Sequence, residues 1–450
     1  MNIRNMARIS QCMIVKNEER KIEQALSWGK GIVSEQIVID TGSTDRTVEI
    51  AERMGAQVYH FQWTDDFAAA KNYAISKAKY EWIALLDADE FFSTEDAQKL
   101  LYYVRKLQNK DYDTVLCRMV HLDNTGNIIG IGTKIRVFRN VPRLRYVRRI
   151  HEYLDSGDGG NLSTVSAVEE LTIYHTGYGD IEHKEKTLNH RNMKMIQKEL
   201  EENPGDWEML GYLGDEYFSA GDLDHGEKAL RDSIARMPEE VEKDNFVRVE
   251  LNFLKLLGIL ESRGDTPECT FMAVYEQAVQ RIPEDGDFDY LTGRYYVAHG
   301  EYEKGEIYLR KALEKLEKNG AVYTPMILSG SVQKAYELLA GCYYNNGKLE
   351  ECISSTIVLL KLDRYLMSTL FLMLSAFHLD EASGREGRTD ARAVAGFLGQ
   401  NLYDFSTLKD RLFVLKAAMK VKYESLIEII RGMFTAEELQ YVDQALSKEE

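Results

Sequence analysis

Trp82-Ile83-Ala84-Leu85-Leu86-Asp87-Ala88-Asp89-Glu90 is an unbroken apolar run that closes on three carboxylates. Five consecutive apolar residues are what a strand buried on both faces requires, and such strands belong to parallel sheets covered by helices. Carboxylates at positions i and i+2 of its end place two like charges beside one cleft. They repel unless a cation or a proton stands between them.

The same alternation runs outward on both sides. Ile9-Ser10-Gln11-Cys12-Met13-Ile14-Val15 is a short apolar strand, and a helix is expected over Glu18 to Trp28. Gln36-Ile37-Val38-Ile39-Asp40 is a second strand, ended by Thr41-Gly42-Ser43-Thr44-Asp45, in which Ser43, Thr44 or Asp45 can cap a helix over Arg46 to Met54. Gly55 stops that helix, Gln57 to Phe61 is a third strand, and a helix over Phe67 to Lys79 leads back to Trp82. Strands alternating with helices at this interval predict an α/β domain with a mostly parallel, Rossmann-like sheet. Ligands of such sheets sit beyond the carboxyl ends of the strands, where Asp40, Asp87 and Asp89 all fall. From Val115 to Tyr174 short β-type runs separated by Gly-rich turns complete the domain.

Past about His183 helical periodicity takes over, so the expected division is 1–182 and 183–450. Tyr217 to Asp222, Tyr296 to Glu301 and Tyr343 to Lys348 share an aromatic, three spacers, a Gly and a charged residue, and Gly264-Asp265 repeats the ending more weakly. Spacings of this size are close to the period of helix-turn-helix repeats, with insertions. Each Gly is expected to end a first helix in a left-handed cap, with Ala229-Leu230 or Ala312-Leu313 on the helix that packs back. These segments resemble tetratricopeptide repeats.

A chain of 450 residues is too long for one ordinary core. Its 56 basic and 73 acidic residues give a net charge of −17, which disfavours general affinity for nucleic acid or anionic lipid. An anionic ligand must therefore be met locally, and Lys134, Arg136, Arg139, Arg143, Arg145, Arg148 and Arg149 form the one basic stretch. Cys12, Cys117, Cys269, Cys342 and Cys352 are odd in number and lack CxxC spacing, as in a reduced, cytoplasmic protein. Met1 to Ser10 has no apolar core of a signal peptide, and Leu366 to Leu379 is too short to span a bilayer, reading as a buried helix.

Hard oxygen ligands such as Asp87 and Asp89 suit Mg²⁺ or Mn²⁺ bridging a diphosphate. Asp40 and the hydroxyl-rich turn after it suit the polar edges of a nucleoside. No Gly-rich phosphate loop follows the first strand, which disfavours a nucleotidyltransferase.

Four ordered motifs give a resemblance: Cys12 to Glu19, Val38 to Asp45, Asp66 to Asn72, and Leu86 to Glu90. In order and spacing they resemble the family 2 glycosyltransferases of the GT-A fold, over roughly residues 8–180. The resemblance implies a donor site for a nucleotide sugar, usually a UDP-sugar, at Val15, Asn17, Glu18, Asp40, Ser43, Lys71, Asp87, Ala88 and Asp89. Lys71 stands where Arg is commoner, so a point charge replaces a bidentate fork. A divalent cation, Mn²⁺ or Mg²⁺, would be held by Asp89 and by His175 of Ile173 to Tyr178, which resembles the family's closing histidine segment. Arg149-Ile150-His151-Glu152 resembles its His-Glu element facing the acceptor. Glu152 is then the expected base of an inverting transfer, Asp89 and Glu90 are the fallback, and Arg149, His151 and Glu90 are acceptor-side candidates.

A family 2 domain followed by such repeats is similar in architecture to bacterial peptide S-glycosyltransferases that modify Cys of bacteriocin precursors. Helical repeats present concave surfaces suited to extended peptides, which favours a polypeptide acceptor over a cell-envelope saccharide. A reading of another class is a non-catalytic repeat scaffold. A homodimer through the helical half is a further expectation.

Overall fold

Strands β1 (Ile9–Val15), β2 (Glu35–Asp40), β3 (Gln57–His60) and β4 (Trp82–Leu85) lie parallel in the order β3-β2-β1-β4. All four residues of β4 are buried, as a strand covered on both faces must be. The computed structural model describes residues 8–176, 191–241, 246–320, 323–384 and 389–446. Gly177 and Tyr178 of the closing histidine segment, and the first seven residues, lie outside these.

Beyond β4 the sheet becomes mixed. It continues through β7 (Ile128–Arg139), β6 (Thr114–Leu122), β11 (Thr172–His175) and β5 (Glu90–Phe92). β7 runs antiparallel to both β4 and β6, and β11 runs parallel to β6 and antiparallel to β5. A short strand, β10 (Thr164–Ser166), pairs parallel with the start of β6, and β8 (Leu144–Val147) and β9 (Tyr153–Ser156) form a separate hairpin. The antiparallel return of β11 onto β5 carries His175 opposite Glu90. That pairing brings a residue from late in the domain to the end of the first apolar run.

Helices α1 (Ile22–Ser27), α2 (Thr47–Arg53), α3 (Phe67–Lys77) and α4 (Thr94–Leu107) cover the sheet. α3 starts where the Asp66 side chain accepts from Ala69 N at 2.8 Å, and α4 where Ser93 accepts from Asp96 N at 3.0 Å. Before α2 the capping is more specific than expected. Asp45 accepts from Thr47 N at 3.0 Å, while Ser43 and Thr44 turn away to bond Asn17. α1 is shorter than expected because Glu18, Asn17 and Glu19 are drawn into that same turn.

After His175 the described residues are helical. Gly221, Gly300 and Gly347 all have positive φ (77°, 76° and 73°) at the ends of the helices Trp207–Ser219, Gly286–Ala298 and Val332–Asn345. In each, the N–H after the Gly returns to the carbonyl of the repeat's aromatic, Tyr217, Tyr296 or Tyr343, at 2.8–2.9 Å. This is a Schellman cap, and it explains why the aromatic and the Gly keep a fixed spacing. Gly264 shares the conformation, with φ 71°. The expected buried helix is present as Met367–Ala382, with Leu370, Met373, Leu374 and Phe377 in the core. No helix among the described residues is long and apolar enough to cross a membrane.

The chain divides into two compact units, Met1–Met237 and Pro238–Glu450. The helices Arg191–Glu202, Trp207–Ser219 and Leu223–Arg236 therefore belong with the sheet.

Within the repeats, small residues set how closely helices approach. A Cβ on Gly293 would lie 2.7 Å from Leu309 Cγ and 3.1 Å from Leu309 N, and one on Gly214 would lie 2.7 Å from Leu230 Cγ. Gly293→Ala is expected to destabilise the second unit by about 1–3 kcal/mol through overpacking, read as a lower urea midpoint.

Candidate active site

The site is built at the carboxyl ends of β1, β2 and β4. Val15 pairs with Asp40 across β1 and β2, and its carbonyl accepts from both the N–H and the hydroxyl of Thr41 at 3.0 Å. Asn17, at φ 57°, donates its N–H to Ser43 Oγ (2.9 Å), and its side chain accepts from Thr44 N (2.8 Å). Glu18 N donates to Thr47 Oγ1 at 2.7 Å. These bonds lace the two loops into one rim.

Asp40 is 4% exposed and shapes this rim. Its oxygens accept from Gly42 N (3.2 Å) and Ser43 N (3.0 Å), and His60 Nδ1 lies 3.2 Å away. Burial pushes its pKa up, but the Ser43, His60 and Gly42 hydrogen bonds outweigh burial and hold it below the usual carboxylate range.

At the end of β4 the carboxylates are not left facing one another. Lys71, fully buried on α3, places Nζ 3.3 Å from Asp87 Oδ1 and 2.7 Å from Glu152 Oε1, with the Tyr146 ring at 5.2 Å. Arg136 on β7 donates to Glu90 through Nε (2.8 Å) and Nη2 (2.6 Å), and to Asp87 through Nη2 (2.8 Å). Burial disfavours the charge on Lys71, yet Asp87 and Glu152 outweigh it and raise its pKa. Burial likewise opposes ionisation of Asp87, and Lys71 and Arg136 reverse that and lower its pKa. Lys71 thus stays charged and bridges Asp87 to Glu152. Its neighbour Asn72 brackets the Tyr146 backbone, donating to its carbonyl at 2.8 Å and accepting from its N–H at 2.9 Å.

Asp89 faces His175, with Oδ2 3.5 Å from Nε2, and His175 Nδ1 lies 3.0 Å from His121 Nδ1. Burial would lower the His175 pKa, but Asp89, Glu90 and Asp87 raise it, while burial and the neighbouring His175 lower that of His121. A protonated His175 donating to Asp89 and to a neutral His121 satisfies both contacts. Ala88 is 7% exposed and packs with Met13 and Val15, which pins the turn between the two aspartates.

The segment before Glu152 carries two strained residues, Arg148 (φ 69°) and His151 (φ 52°). Helices of the same unit hold it. Arg148 pairs with Glu208 (2.6 Å) and Asp206 (3.0 Å), Arg149 with Glu202, and the His151 ring stacks on Tyr212 with centroids 3.5 Å apart. Ile150 is buried against Met195, Ile196 and Met209.

Of the expected site residues, Asp87, Glu152 and Lys71 converge, as do Asp89 and His175. Glu90 is 2% exposed and clamped by Arg136, and Arg149 and His151 are engaged with the helices. The basic stretch is not a patch. Arg139 donates to the carbonyls of Leu107, Gln108, Lys110 and Tyr112, Arg143 pairs with Asp113, and Arg145 donates to the carbonyls of Val141 and Leu144. Arg145 is therefore committed to its own turn, against the expectation that the whole stretch meets an anionic ligand.

The sequence names Lys134 and Arg136 only as members of the basic stretch, and nothing in it marks His121 or Tyr146. Arg136 is the extra residue at a β-bulge, since Val115 pairs with Val137 and Leu116 with Ile135. A bulge re-aims a side chain in a way that period-2 alternation cannot show. Lys134 lies two residues before Arg136 on β7 with its side chain at the surface, its pKa lowered by partial desolvation and then by Arg136.

This constellation of paired carboxylates, a bridging lysine and a nucleoside-type turn on an α/β sheet is that of a glycosyltransferase. The chain belongs to glycosyl transferase family 2, whose model matches residues 10–167. It is 30% identical to a TPR repeat-containing protein of Synechococcus elongatus, over 64% of this chain and 71% of that one. It is 28% identical to the SPbeta prophage-derived glycosyltransferase SunS of Bacillus subtilis, over 55% of this chain and 57% of SunS, so it spans just over half of that relative. Glucosyl-3-phosphoglycerate synthase of Mycobacterium tuberculosis, solved with Mn²⁺, UDP and glucosyl-3-phosphoglycerate, matches 26% of this chain and 44% of its own at 21% identity and a TM-score of 0.22.

Removing Arg136 leaves Glu90 and Asp87 without their guanidinium. Arg136→Met is expected to cost about 3–5 kcal/mol in urea unfolding, and adding Glu90→Gln should recover part of that loss.

Proposed function

We propose that the protein transfers a sugar, with inversion, from a nucleotide sugar, most simply a UDP-sugar, to a polypeptide acceptor such as a Cys or Ser side chain of a bacteriocin-type peptide. The observation that carries this reading is the Lys71 bridge, which holds Glu152 and Asp87 on one ammonium at 2.7 and 3.3 Å. A base for the acceptor and a carboxylate for the donor are thereby set at one fixed spacing. On this reading residues 1–182 are the catalytic module and 183–450 the helical repeats.

Asp40 and the Asn17–Ser43 rim bind the nucleoside, and Lys134 meets the diphosphate. Glu152 takes the proton of the attacking acceptor, and its loop is held by the first repeat helices. The facing carboxylate oxygen of Asp89 and imidazole nitrogen of His175, 3.5 Å apart, suit a shared Mn²⁺ or Mg²⁺ in place of the proton between them. Such a cation would neutralise charge on the departing nucleoside diphosphate.

The polypeptide acceptor rests on the helical repeats, whose concave surfaces suit extended chains, and on the likeness to SunS. The free cysteines, Cys12, Cys117, Cys342 and Cys352 buried, support a reducing cytoplasm. Exposed Val358, Leu362 and Leu379 offer apolar surface for self-association of the helical half.

Asp89→Asn is expected to lower cation-dependent release of nucleoside diphosphate by at least about 10²-fold with the circular dichroism spectrum unchanged. Wild-type protein releasing none from any common sugar nucleotide would leave the scaffold reading standing. Glu152→Gln should leave donor affinity intact while transfer falls by about 10²–10⁴-fold. Undiminished transfer would move the base to another carboxylate.

A further inference from the structure

The unit Pro238–Glu450 contains a charged cluster that sugar transfer does not use. Glu250 lies on the helix Phe246–Ser262, and Asp285 and Asp287 open the helix Gly286–Ala298. One oxygen from each carboxylate lies within 4.8 Å of the other two. The residues are 5%, 0% and 0% exposed.

Part of this cluster has an ordinary structural task. Asp285 caps its helix by accepting from Asp287 N at 2.8 Å, and Asp287 accepts from the N–H groups of Ile327 (2.8 Å) and Leu328 (2.7 Å). What remains has none. Among the described residues Asp285 Oδ2 receives no hydrogen bond, while the Tyr323 hydroxyl buried beside the cluster is turned to Glu250. The lysine at hand is already committed, because Lys315 donates to the Asp285 carbonyl (3.1 Å) and pairs with Asp289 (2.6 Å), which Lys311 also meets at 3.0 Å. Among the described residues no ion pair reaches any of the three carboxylates.

Three buried carboxylates at this spacing require a neutralising partner, either protons or a cation. The unpaired, fully buried Asp285 Oδ2 stands among carboxylates from three residues, a set of oxygens that an ion can bind together.

We propose that Glu250, Asp285 and Asp287 bind a hard divalent cation, Ca²⁺ or Mg²⁺, that ties the helix Phe246–Ser262 to the start of Gly286–Ala298. An all-oxygen ligand set selects hard ions over Zn²⁺ or Cu²⁺. The role is structural, and it stands whether or not the proposed sugar transfer does.

The test uses the full chain carrying Asp89→Asn, stripped with EDTA and free of nucleotide, so that the other candidate cation site is disabled. Ca²⁺ or Mg²⁺ added to about 100 times its Kd should raise Tm by about 5 °C, and calorimetric titration should show one equivalent bound. Asp285→Asn, which keeps the cap, and Glu250→Gln should each abolish the shift and the binding; their spectra report whether they fold. A shift that survives in both, or no shift with either ion in the Asp89→Asn protein, overturns the proposal.

Discussion

The ammonium of Lys71 is the contact on which the site depends. It is fully buried, and only carboxylates on two sides make its charge tolerable there. Those carboxylates in turn come from separate segments of the chain, Asp87 from the end of β4 and Glu152 from the segment before β9. Arg136 completes the balance from β7, so every element that reaches the cleft arrives with a charge another element answers. The packed sheet supplies the distances, and the ion pairs fix which side chains occupy them. Removing either cation would leave Asp87 and a more deeply buried glutamate, Glu152 or Glu90, without the charge they share.

A second constraint acts on the loop before Glu152. Arg148 and His151 hold backbone conformations that L side chains adopt reluctantly. Two ion pairs, a stacked ring and the buried Ile150 hold that conformation in place. Helices that a sequence reader assigns to the repeats thus set the geometry of the proposed base.

Much of this was legible in the chain itself. The apolar run ending at Asp87, the hydroxyl-rich turn after Asp40 and the aromatic-to-Gly spacing of the repeats are local signals, because each encodes its own strand end or cap. The partners of those residues were not. Arg136 lies in a run of basic residues that looks uniform, and only the bulge in β7 separates it from Arg139 and Arg145, which serve backbone carbonyls. His121 meets His175 through strand pairing between β6 and β11 across more than fifty residues, a contact that no local pattern announces. The three buried acids of the helical unit were hidden for the same reason, since Glu250 joins Asp285 only through helix packing.

The placement of Arg191–Arg236 with the sheet bears on how such chains can be rearranged. A graft meant to exchange the helical repeats, cut where strands give way to helices, would carry off the side chains that grip Arg148 and His151. The same exchange made after Met237 would leave the grip behind with the sheet. In this architecture the seam for recombination is displaced by one repeat from the seam in secondary structure.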